Sequence, residues 1–370
     1  WSSDVCSSDL YFRGDYMNLG HGGNVEEIKR IYGLKESEII DFSANINPLG
    51  ISERVKEAMI KGINSIERYP DITYYELKKG ISDFEKVALE NIILGNGAAE
   101  VIFNVVRGIK PKKALIVAPT FSEYEDALNS VECEVNHYIL KDNYSVDNGF
   151  LEEIKEELDI IFLCNPNNPT GALIEKDFSL KVLEKAKKMN VTVVFDESFL
   201  DFVEYNDRYS LIKELDNFQN LIIVKSLTKL FAFPGIRLGY GLSSNNNVIE
   251  KINSVGTPWS VNTVADYAGR EALKDVEYIK NSVAYIKKEN EFLYNGLENF
   301  EDITIFKGAV NFIFFKLNKN IDLREELIRR GIIIRSCSNY IGLDNNFYRV
   351  AVRTREENKK LLEELSKVLK

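Results

Sequence analysis

Residues 191 to 197 read Val191-Thr192-Val193-Val194-Phe195-Asp196-Glu197, a continuous apolar run that ends in two carboxylates. An unbroken apolar run of this length predicts a strand that is buried on both faces, as in parallel sheets covered by helices. Other segments repeat the same order of a short apolar run, a turn or polar cluster, and a helical stretch. These segments are 92–94, 114–118, 160–164 and 221–224. The sequence therefore predicts an α/β fold with a mostly parallel sheet covered by helices.

Unusual polar residues stand just past the carboxyl end of several predicted strands. Asp196 follows one strand, Asn165 follows another, and Ser226 lies just beyond a third. In open parallel sheets, ligands bind at the carboxyl ends of the strands. We therefore expect one pocket to collect these side chains.

The last third of the chain has a different pattern. Residues 261–298 read as long helices with charged faces, and short apolar runs then alternate with a helix near 322–330. This α+β pattern predicts interdomain helices and a smaller C-terminal domain over 261–370, beside a large domain over 51–260 that contains the predicted pocket. We expect residues 17–50 to pack on the small domain or at that pocket.

The composition excludes several classes of protein. The 370 residues are 45% hydrophobic and 28% charged, which is the balance of an ordinary globular protein rather than a disordered or fibrous one. There are 47 Lys and Arg residues against 57 Asp and Glu residues, a net charge of −10. A non-specific nucleic-acid binder is usually basic, so we expect no nucleic-acid partner. A small anionic substrate remains compatible, because a few buried arginines can set the local field.

Cysteine and histidine usage argues against a metal centre. The chain has four Cys and two His, and no two cysteines form a CxxC pair. Unpaired cysteines favour a reducing, cytoplasmic location. No apolar run approaches the roughly 20 residues that are needed to cross a bilayer, so no membrane association is expected.

The first sixteen residues look foreign to the rest of the chain. They lack the basic start, apolar centre and cleavage site of a signal peptide. Residues 10–14 read Leu-Tyr-Phe-Arg-Gly and resemble a protease site or a cloning scar. We expect residues 1–16 to be a non-native leader and the native chain to start at Met17.

Lys229 is the first candidate for covalent chemistry. It follows an apolar strand in the run Ser226-Leu227-Thr228-Lys229, and Arg237 comes eight residues later between Ile236 and Leu238. A lysine in a poorly solvated pocket loses its proton readily and can attack an aldehyde. We expect Arg237 to point into the protein and to need an anion. The alternative is a surface lysine beside a structural ion pair.

Two further polar residues are candidates for binding a planar ring. Asp196 at the end of its strand needs a cationic partner to stay ionised, and a protonated pyridine nitrogen would supply one. The alternative for Asp196 is a helix N-cap. Asn168 precedes Pro169 in a proline-fixed loop, so its backbone is held extended and its amide can donate to a phenolic oxygen. The alternative for Asn168 is a rigid turn.

The segment Gly95-Asn96-Gly97-Ala98-Ala99 opens an apolar helix. Small residues at a helix N-terminus leave free N–H groups that can hold a phosphate. Phe121 follows the next predicted strand and is a candidate for stacking on a planar ring, with a core aromatic as the alternative.

Together these residues describe the ligands of pyridoxal 5′-phosphate. Their order and spacing resemble the fold type I pyridoxal-phosphate enzymes of the aminotransferase class I/II superfamily, over about the whole chain from residue 17. Further motifs resemble the threonine-phosphate decarboxylase family, a relative of the histidinol-phosphate aminotransferases. These motifs are residues 21–24, 41–50, 67–71, 258–262 and 335–340.

The resemblance implies roles in cofactor binding. Lys229 would bind the cofactor aldehyde covalently, Asp196 would pair with the ring nitrogen, and Asn168 would bond the ring hydroxyl while Phe121 stacks. The cofactor phosphate would be held by Gly97, Ala98, Ala99, Ser226 and Arg237, and Thr228 would also bind the cofactor. Tyr69 would reach the phosphate of the neighbouring subunit, because the family's active site is shared within a homodimer.

The resemblance also implies a substrate site. Arg349 would take the substrate carboxylate and Arg335 its phosphate, since the guanidinium fork matches both anions. The remaining substrate-binding residues would be His21, Gly22, Asn45 and Asn168. Read locally, each arginine has a structural ion pair as its alternative. His21 between glycines has a flexible terminus as its alternative.

The implied activity is pyridoxal-phosphate-dependent decarboxylation of O-phospho-L-threonine to 1-amino-2-propanol phosphate for cobalamin biosynthesis. Phe199 favours this activity, because many aminotransferases of the fold have a tyrosine there that bonds the ring hydroxyl. The alternatives are a histidinol-phosphate aminotransferase, a decarboxylase of serine phosphate, and a non-catalytic binding protein on the same fold. One methyl group in a pocket is worth only about 1–3 kcal/mol of discrimination, so the sequence does not separate threonine phosphate from serine phosphate.

Overall fold

The computed structural model describes residues 22–370. The expected leader over 1–16, the expected start at Met17 and the candidate residue His21 lie outside the described residues. None of the helices in the described part is long and apolar enough to span a membrane.

Thirteen α-helices are assigned in the described part of the chain, in addition to short 3₁₀ turns. Their bounds are α1 Val25–Tyr32, α2 Glu53–Ile63, α3 Tyr75–Glu85, α4 Ala98–Ile109, α5 Glu123–Asn129, α6 Asn148–Glu152, α7 Lys176–Lys188, α8 Leu227–Leu230, α9 Asn246–Val255, α10 Thr263–Ala272, α11 Val276–Glu298, α12 Leu323–Ile328 and α13 Arg355–Leu369.

Thirteen strands are assigned in the same residues. Their bounds are β1 Ile40–Asp41, β2 Ile92–Gly95, β3 Lys113–Ala118, β4 Glu134–Ile139, β5 Ile160–Cys164, β6 Thr192–Asp196, β7 Leu221–Ser226, β8 Gly239–Leu242, β9 Ile303–Phe306, β10 Phe312–Leu317, β11 Ile332–Ile333, β12 Arg335–Ser336 and β13 Phe347–Ala351.

A seven-stranded sheet forms the centre of the large domain. Its strand order is β2-β8-β7-β6-β5-β3-β4, and all neighbours run parallel except β8, which is antiparallel to both β2 and β7. The five apolar runs in the sequence form β2, β3, β5, β6 and β7. The expected mostly parallel sheet covered by helices is therefore confirmed.

Alternate residues of the central strands pack into two separate cores. Val193 and Phe195 of β6 face one core, whereas Val194 faces the other, which also contains residues of α4 and α5. Side chains of a strand alternate between the two faces of the sheet. Asp196 consequently lies on the face of Val194, and Glu197 lies on the opposite face.

A smaller sheet lies in the C-terminal part of the chain. Its four strands have the order β12-β13-β10-β9 and are antiparallel. The N-terminal segment joins this region, because β1 pairs in parallel with β11 and Ile28 of α1 packs with Ile328 and Ile333. We propose the boundaries 17–50, 51–260 and 261–370 as the units of the chain.

A buried charged cluster lies on the face of the large sheet that carries Glu197. The Nζ atom of Lys225 is 2.7 Å from Oδ1 of Asp201 and 3.1 Å from Oε1 of Glu85. The hydroxyl of Ser210 and the backbone N–H of Leu211 donate to the carboxylate of Glu197 at 2.8 and 2.9 Å. This cluster is adjacent in sequence to Asp196 and Ser226, so it anchors the strand ends that carry the site.

We expect Lys225→Met to lower the free energy of unfolding by about 3–5 kcal/mol, because the substitution leaves buried carboxylates without their cation. Denaturation in urea, followed by circular dichroism, measures the change as a lower midpoint. Lys181→Met is the matched control, because Lys181 is an exposed residue of α7. Equal midpoints for the two variants would show that the cluster does not stabilise the fold.

Candidate active site

One cavity of about 350 Å³ lies between the carboxyl edge of the large sheet and the small sheet. It is lined by most of the residues that the sequence singled out. Those residues are Gly22, Asn45, Ala98, Ala99, Phe121, Asn168, Asp196, Ser226, Thr228, Lys229, Arg237, Arg335 and Arg349.

Two candidate residues do not line the cavity, namely Gly97 and Tyr69. Gly97 lies directly beside the cavity, because a Cβ atom built on it would be 2.6 Å from Nη2 of Arg237. Tyr69 does not line the cavity of its own chain. It is 81% exposed, and its ring lies 4.8 Å from that of Trp259.

Lys229 lies in α8, directly after β7, and its side chain reaches the cavity. Burial of the amine lowers the pKa of Lys229 to about 8, and the positive charges of Arg349 and Arg237 act in the same direction. Asp196 opposes this shift. A substantial fraction of the amine is therefore neutral and nucleophilic near physiological pH.

Asp196 ends β6 and is 3% exposed. Its Oδ1 accepts from the backbone N–H of Ser198 at 2.9 Å, and its Oδ2 accepts from the hydroxyl of Tyr124 at 2.7 Å. Burial raises the pKa of Asp196, whereas these two residues and Lys229 favour the ionised form. No α-helix begins at this position, so the alternative of a helix cap is wrong and the carboxylate faces the cavity.

The phosphate-binding candidates form a cup at one end of the cavity. Gly97 has a φ of 88° and precedes α4, so the first N–H groups of the helix face the cup. A Cβ atom on Gly239 would lie 2.3 Å from the backbone nitrogen of Ala98, so only glycine fits there. The hydroxyls of Ser226 and Thr228 are 2.8 Å apart on the other side. This donor set suits a phosphate dianion.

Arg237 also belongs to this cup. The residue lines the cavity and forms no ion pair with any carboxylate in residues 22–370. The residue as a whole is exposed in the single chain, but its guanidinium reaches into the cup, where Nη2 would be 2.6 Å from a Cβ atom built on Gly97.

Arg349 is held rigidly at the opposite side of the cavity. It is 5% exposed, its Nη2 donates to the carbonyl of Ser43 at 2.9 Å, and its Nη1 donates to Oδ1 of Asn168. The side-chain amide of Asn45 lies beside the same guanidinium, and its oxygen would accept from Nη1 at 3.2 Å when the amide is turned to face it. Within the described residues no carboxylate pairs with Arg349, so the alternative of a structural ion pair is wrong. The guanidinium remains available to an anionic ligand.

Arg335 lies directly across the small sheet from Arg349. The two residues are register partners of β12 and β13. Nη2 of Arg335 donates to Oδ1 of Asn339 at 2.7 Å, and its guanidinium lies 5.4 Å from the ring centre of Tyr340. Two arginines are thereby presented to one cavity of a chain whose net charge is −10.

Some lining residues were not assigned from the sequence. They are Ser43, Ala44, Cys164, Ser198 and Tyr340. Ser43, Ala44 and Tyr340 lie inside motifs that were recognised as whole segments, and Cys164 is the last residue of an apolar strand. Tyr124 contacts Asp196 from behind the cavity wall. Its position three residues after Phe121 was the feature of the sequence that could have placed it near the site.

His137 lies in β4 with Nε2 3.3 Å from Glu125, away from the cavity.

Comparison with known proteins agrees with this geometry. Residues 37–365 match the family described as aminotransferase class I and II, and the chain belongs to this family. It is 37% identical to the threonine-phosphate decarboxylase of Salmonella typhimurium, over 95% of this chain and 97% of that protein. It is also 37% identical to the adenosylcobalamin biosynthesis bifunctional protein CobDQ of Leptospira interrogans, over 95% of this chain and 41% of that longer protein.

A solved structure gives a second point of comparison. The histidinol-phosphate aminotransferase from Clostridium acetobutylicum is 35% identical and superposes with a TM-score of 0.84, over 89% of this chain and 99% of that chain. The fold type I architecture expected from the sequence is confirmed, while the relatives carry two different activities.

We expect covalent loading of pyridoxal phosphate to accelerate with pH up to about 8 and then to level off, because only the neutral amine of Lys229 attacks the aldehyde. An ordinary lysine, with a pKa near 10.4, would give a rate that rises to about pH 10. Reduction with borohydride followed by intact-mass analysis measures the loaded fraction over time. A rate that rises steadily through pH 10 would contradict the lowered pKa.

Proposed function

We propose that the protein is a pyridoxal-phosphate-dependent decarboxylase that converts O-phospho-L-threonine into 1-amino-2-propanol phosphate and CO₂ for cobalamin biosynthesis. The observation that carries the proposal is the pair of facing arginines, Arg335 and Arg349, in the same cavity as Lys229 and Asp196. The substrate has two anionic groups, a phosphate and a carboxylate. Two guanidinium groups at one side of the cavity match that pair of groups.

The cofactor site fits pyridoxal phosphate. The cup at α4 offers N–H, hydroxyl and guanidinium donors to a phosphate, and Asp196 offers an anion to a ring nitrogen. Asn168 uses its Oδ1 for Arg349, which leaves its N–H₂ group to donate to a ring oxygen. Bound pyridoxal phosphate supplies an electron sink for the pair of electrons left on the substrate Cα.

The chain's own residues determine which bond to Cα breaks. Arg349 is fixed by Ser43 and Asn168, so it holds the substrate carboxylate in one direction. Arg335 holds the phosphate, and the substrate is thus fixed at both ends. We infer that these two contacts would make the bond from Cα to the carboxylate the one that breaks when the cofactor is bound, and that Lys229 would return a proton to Cα as CO₂ leaves. With a pKa of about 8, Lys229 can release and recover a proton near neutral pH.

Phe199 supports decarboxylation over transamination. It lines the cavity three residues after Asp196, and its ring packs edge-on against Phe312 at 5.2 Å. The face of Phe312 in turn lies 5.3 Å below the guanidinium of Arg349. A phenylalanine cannot donate a hydrogen bond to the cofactor. The side-chain N–H₂ group of Asn168 would therefore be the donor to the ring oxygen.

The test is a panel of substrates with purified, cofactor-loaded protein. O-phospho-L-threonine, O-phospho-L-serine and unphosphorylated L-threonine are each followed by CO₂ release. We expect fast release from O-phospho-L-threonine and slow release from L-threonine, because Arg335 would lack its anion. CO₂ release that is equal for L-threonine and its phosphate would contradict the assigned substrate. The ratio between the two phosphorylated substrates measures the contribution of the methyl group.

The second candidate is histidinol-phosphate aminotransferase. The identity to the Clostridium acetobutylicum structure supports it, and the same two arginines would bind histidinol phosphate and a dicarboxylate in turn. Glutamate formation from histidinol phosphate and 2-oxoglutarate, without CO₂ release, would favour this candidate.

We also propose a homodimer with shared active sites. Tyr69 is exposed in the single chain, and so are Ile63, Ile66 and Ile72, which are close to it in the sequence. Several large apolar side chains exposed within one short segment suit a protein interface. We further propose a cytoplasmic location. The three cysteines of the described residues are free and buried, which suits a reducing compartment.

We expect mixing of two inactive variants, Lys229→Ala and Tyr69→Ala, to restore activity. A mixed dimer contains one site with Lys229 from one chain and Tyr69 from the other, so equal mixing gives about a quarter of the wild-type sites if subunits exchange freely. Each variant alone, taken through the same exchange, is the control. Activity that stays at the level of the separate variants would contradict the shared site.

A further inference from the structure

The inference concerns Tyr124, which lies behind the cavity wall. It belongs to α5, directly after β3, and its side chain is fully buried. Its ring stacks on that of Phe162 at 5.1 Å with an interplanar angle of 16°, and it meets Phe121 edge-on at 5.6 Å. Aromatic packing on two sides therefore fixes the ring independently of any hydrogen bond.

The fixed ring aims its hydroxyl at Asp196. The Tyr124 hydroxyl donates to Oδ2 of Asp196 at 2.7 Å, while the backbone N–H of Ser198 donates to Oδ1. Each carboxylate oxygen thus has one donor, so the carboxylate cannot rotate freely about its Cβ–Cγ bond. The thiol of Cys164 lies close to the Tyr124 hydroxyl and donates to the carbonyl of Pro166 at 3.2 Å.

The electrostatics of Asp196 depend on these donors. Burial favours the protonated acid, and hydrogen bonds to the carboxylate favour the anion. A hydrogen bond from a hydroxyl to an ionised acceptor is stronger than one between neutral groups. Removal of the Tyr124 hydroxyl would leave Oδ2 of a buried carboxylate without its donor, and Asp196 would then take up a proton more readily.

We propose that Tyr124 is a positioning residue that keeps Asp196 ionised and directed at the ring nitrogen of the cofactor, while its ring braces Phe121. This inference rests on the proposed cofactor. One tyrosine thereby couples the two contacts that set the electronic state and the tilt of the bound ring. A protonated ring nitrogen withdraws electrons more strongly, so Tyr124 acts on the chemistry without touching the substrate.

The test is Tyr124→Phe, which keeps the packed ring and removes only the hydroxyl. Protein is loaded with pyridoxal phosphate labelled with ¹⁵N in the ring, and the ¹⁵N chemical shift is recorded from pH 6 to pH 9. We expect the nitrogen of the wild type to stay protonated over this range and that of the variant to lose its proton within it. The affinity of the variant for the cofactor, measured by equilibrium dialysis, should be about tenfold lower than that of the wild type, as is usual when a partner of a ligating group is lost.

Tyr240→Phe is the matched control. Tyr240 is another fully buried tyrosine whose hydroxyl donates to a carboxylate, that of Glu85, on the other face of the same sheet. We expect its ¹⁵N shift and cofactor affinity to match those of the wild type. A ring nitrogen that stays protonated in Tyr124→Phe, as in the wild type, would overturn the role of Tyr124 but not the proposed function. A wild type that binds no labelled cofactor would overturn the proposed function and this inference with it.

Discussion

Lys229→Ala lowers the turnover of O-phospho-L-threonine by at least about a thousandfold, because the substitution removes both the amine that holds the cofactor and the group that returns a proton to Cα. The cofactor phosphate cup and Asp196 are untouched, so pyridoxal phosphate should still bind without a covalent link. Steady-state CO₂ release and mass analysis after borohydride reduction measure the two effects separately.

The control for this result is Lys181→Ala, because Lys181 is exposed on α7. It should leave turnover and covalent loading unchanged. Added methylamine should restore part of the lost turnover of Lys229→Ala, since a small amine can enter the cavity and carry a proton. Turnover in Lys229→Ala within tenfold of the wild type would contradict the assigned role of Lys229.

Arg349→Ala is the second large effect. We expect a loss of about 100- to 1,000-fold in kcat/KM for O-phospho-L-threonine, the size that is typical when one preorganised donor in an active site is removed. Arg349 also holds Asn168 through a buried hydrogen bond, so part of the loss should appear in kcat. Steady-state kinetics separate the two parameters.

Product inhibition distinguishes the two arginines. The product 1-amino-2-propanol phosphate has no carboxylate, so its inhibition constant should change little in Arg349→Ala and should rise strongly in Arg335→Ala. Arg329→Ala is the matched control, because Arg329 is an exposed arginine of the small domain that pairs with Glu325. Product binding that weakens equally in Arg335→Ala and Arg349→Ala would contradict the separate carboxylate and phosphate sites.

Five of the seven strands of the large sheet were predictable because they are continuous apolar runs. The run 191–195 and the four runs like it form β2, β3, β5, β6 and β7. The antiparallel insertion of β8 between β7 and β2 was not predictable, since Gly239–Leu242 is short and β2 is distant from it in sequence. Strand order depends on packing between distant segments, which local pattern does not contain.

The cofactor side of the site was predictable in part for the same reason. Asp196 and Lys229 each follow a strand that the sequence shows, so their common edge follows from the fold. The support behind them was not predictable, because the bond from Tyr124 to Asp196 joins residues 72 positions apart.

The substrate side of the site depends on contacts between residues that are even farther apart in the sequence. Arg349 meets Asn168 across 181 residues and Ser43 across 306 residues, and Arg335 faces it through the register of β12 and β13. Resemblance to a family identified Arg335, Arg349 and Asn45, whereas the local sequence supported several structural alternatives. Only the folded chain shows that Arg349 is held by neutral oxygens and is therefore free to bind an anion.

The central claim is that this site breaks the bond from Cα to the carboxylate. The most direct measurement is NMR analysis of a reaction in D₂O that contains O-phospho-L-threonine, histidinol phosphate and 2-oxoglutarate together with the loaded protein. Our account predicts 1-amino-2-propanol phosphate with one deuterium at C1, equimolar CO₂, and unchanged histidinol phosphate. Glutamate formed at the expense of histidinol phosphate, with O-phospho-L-threonine intact, would contradict it and identify the protein as an aminotransferase.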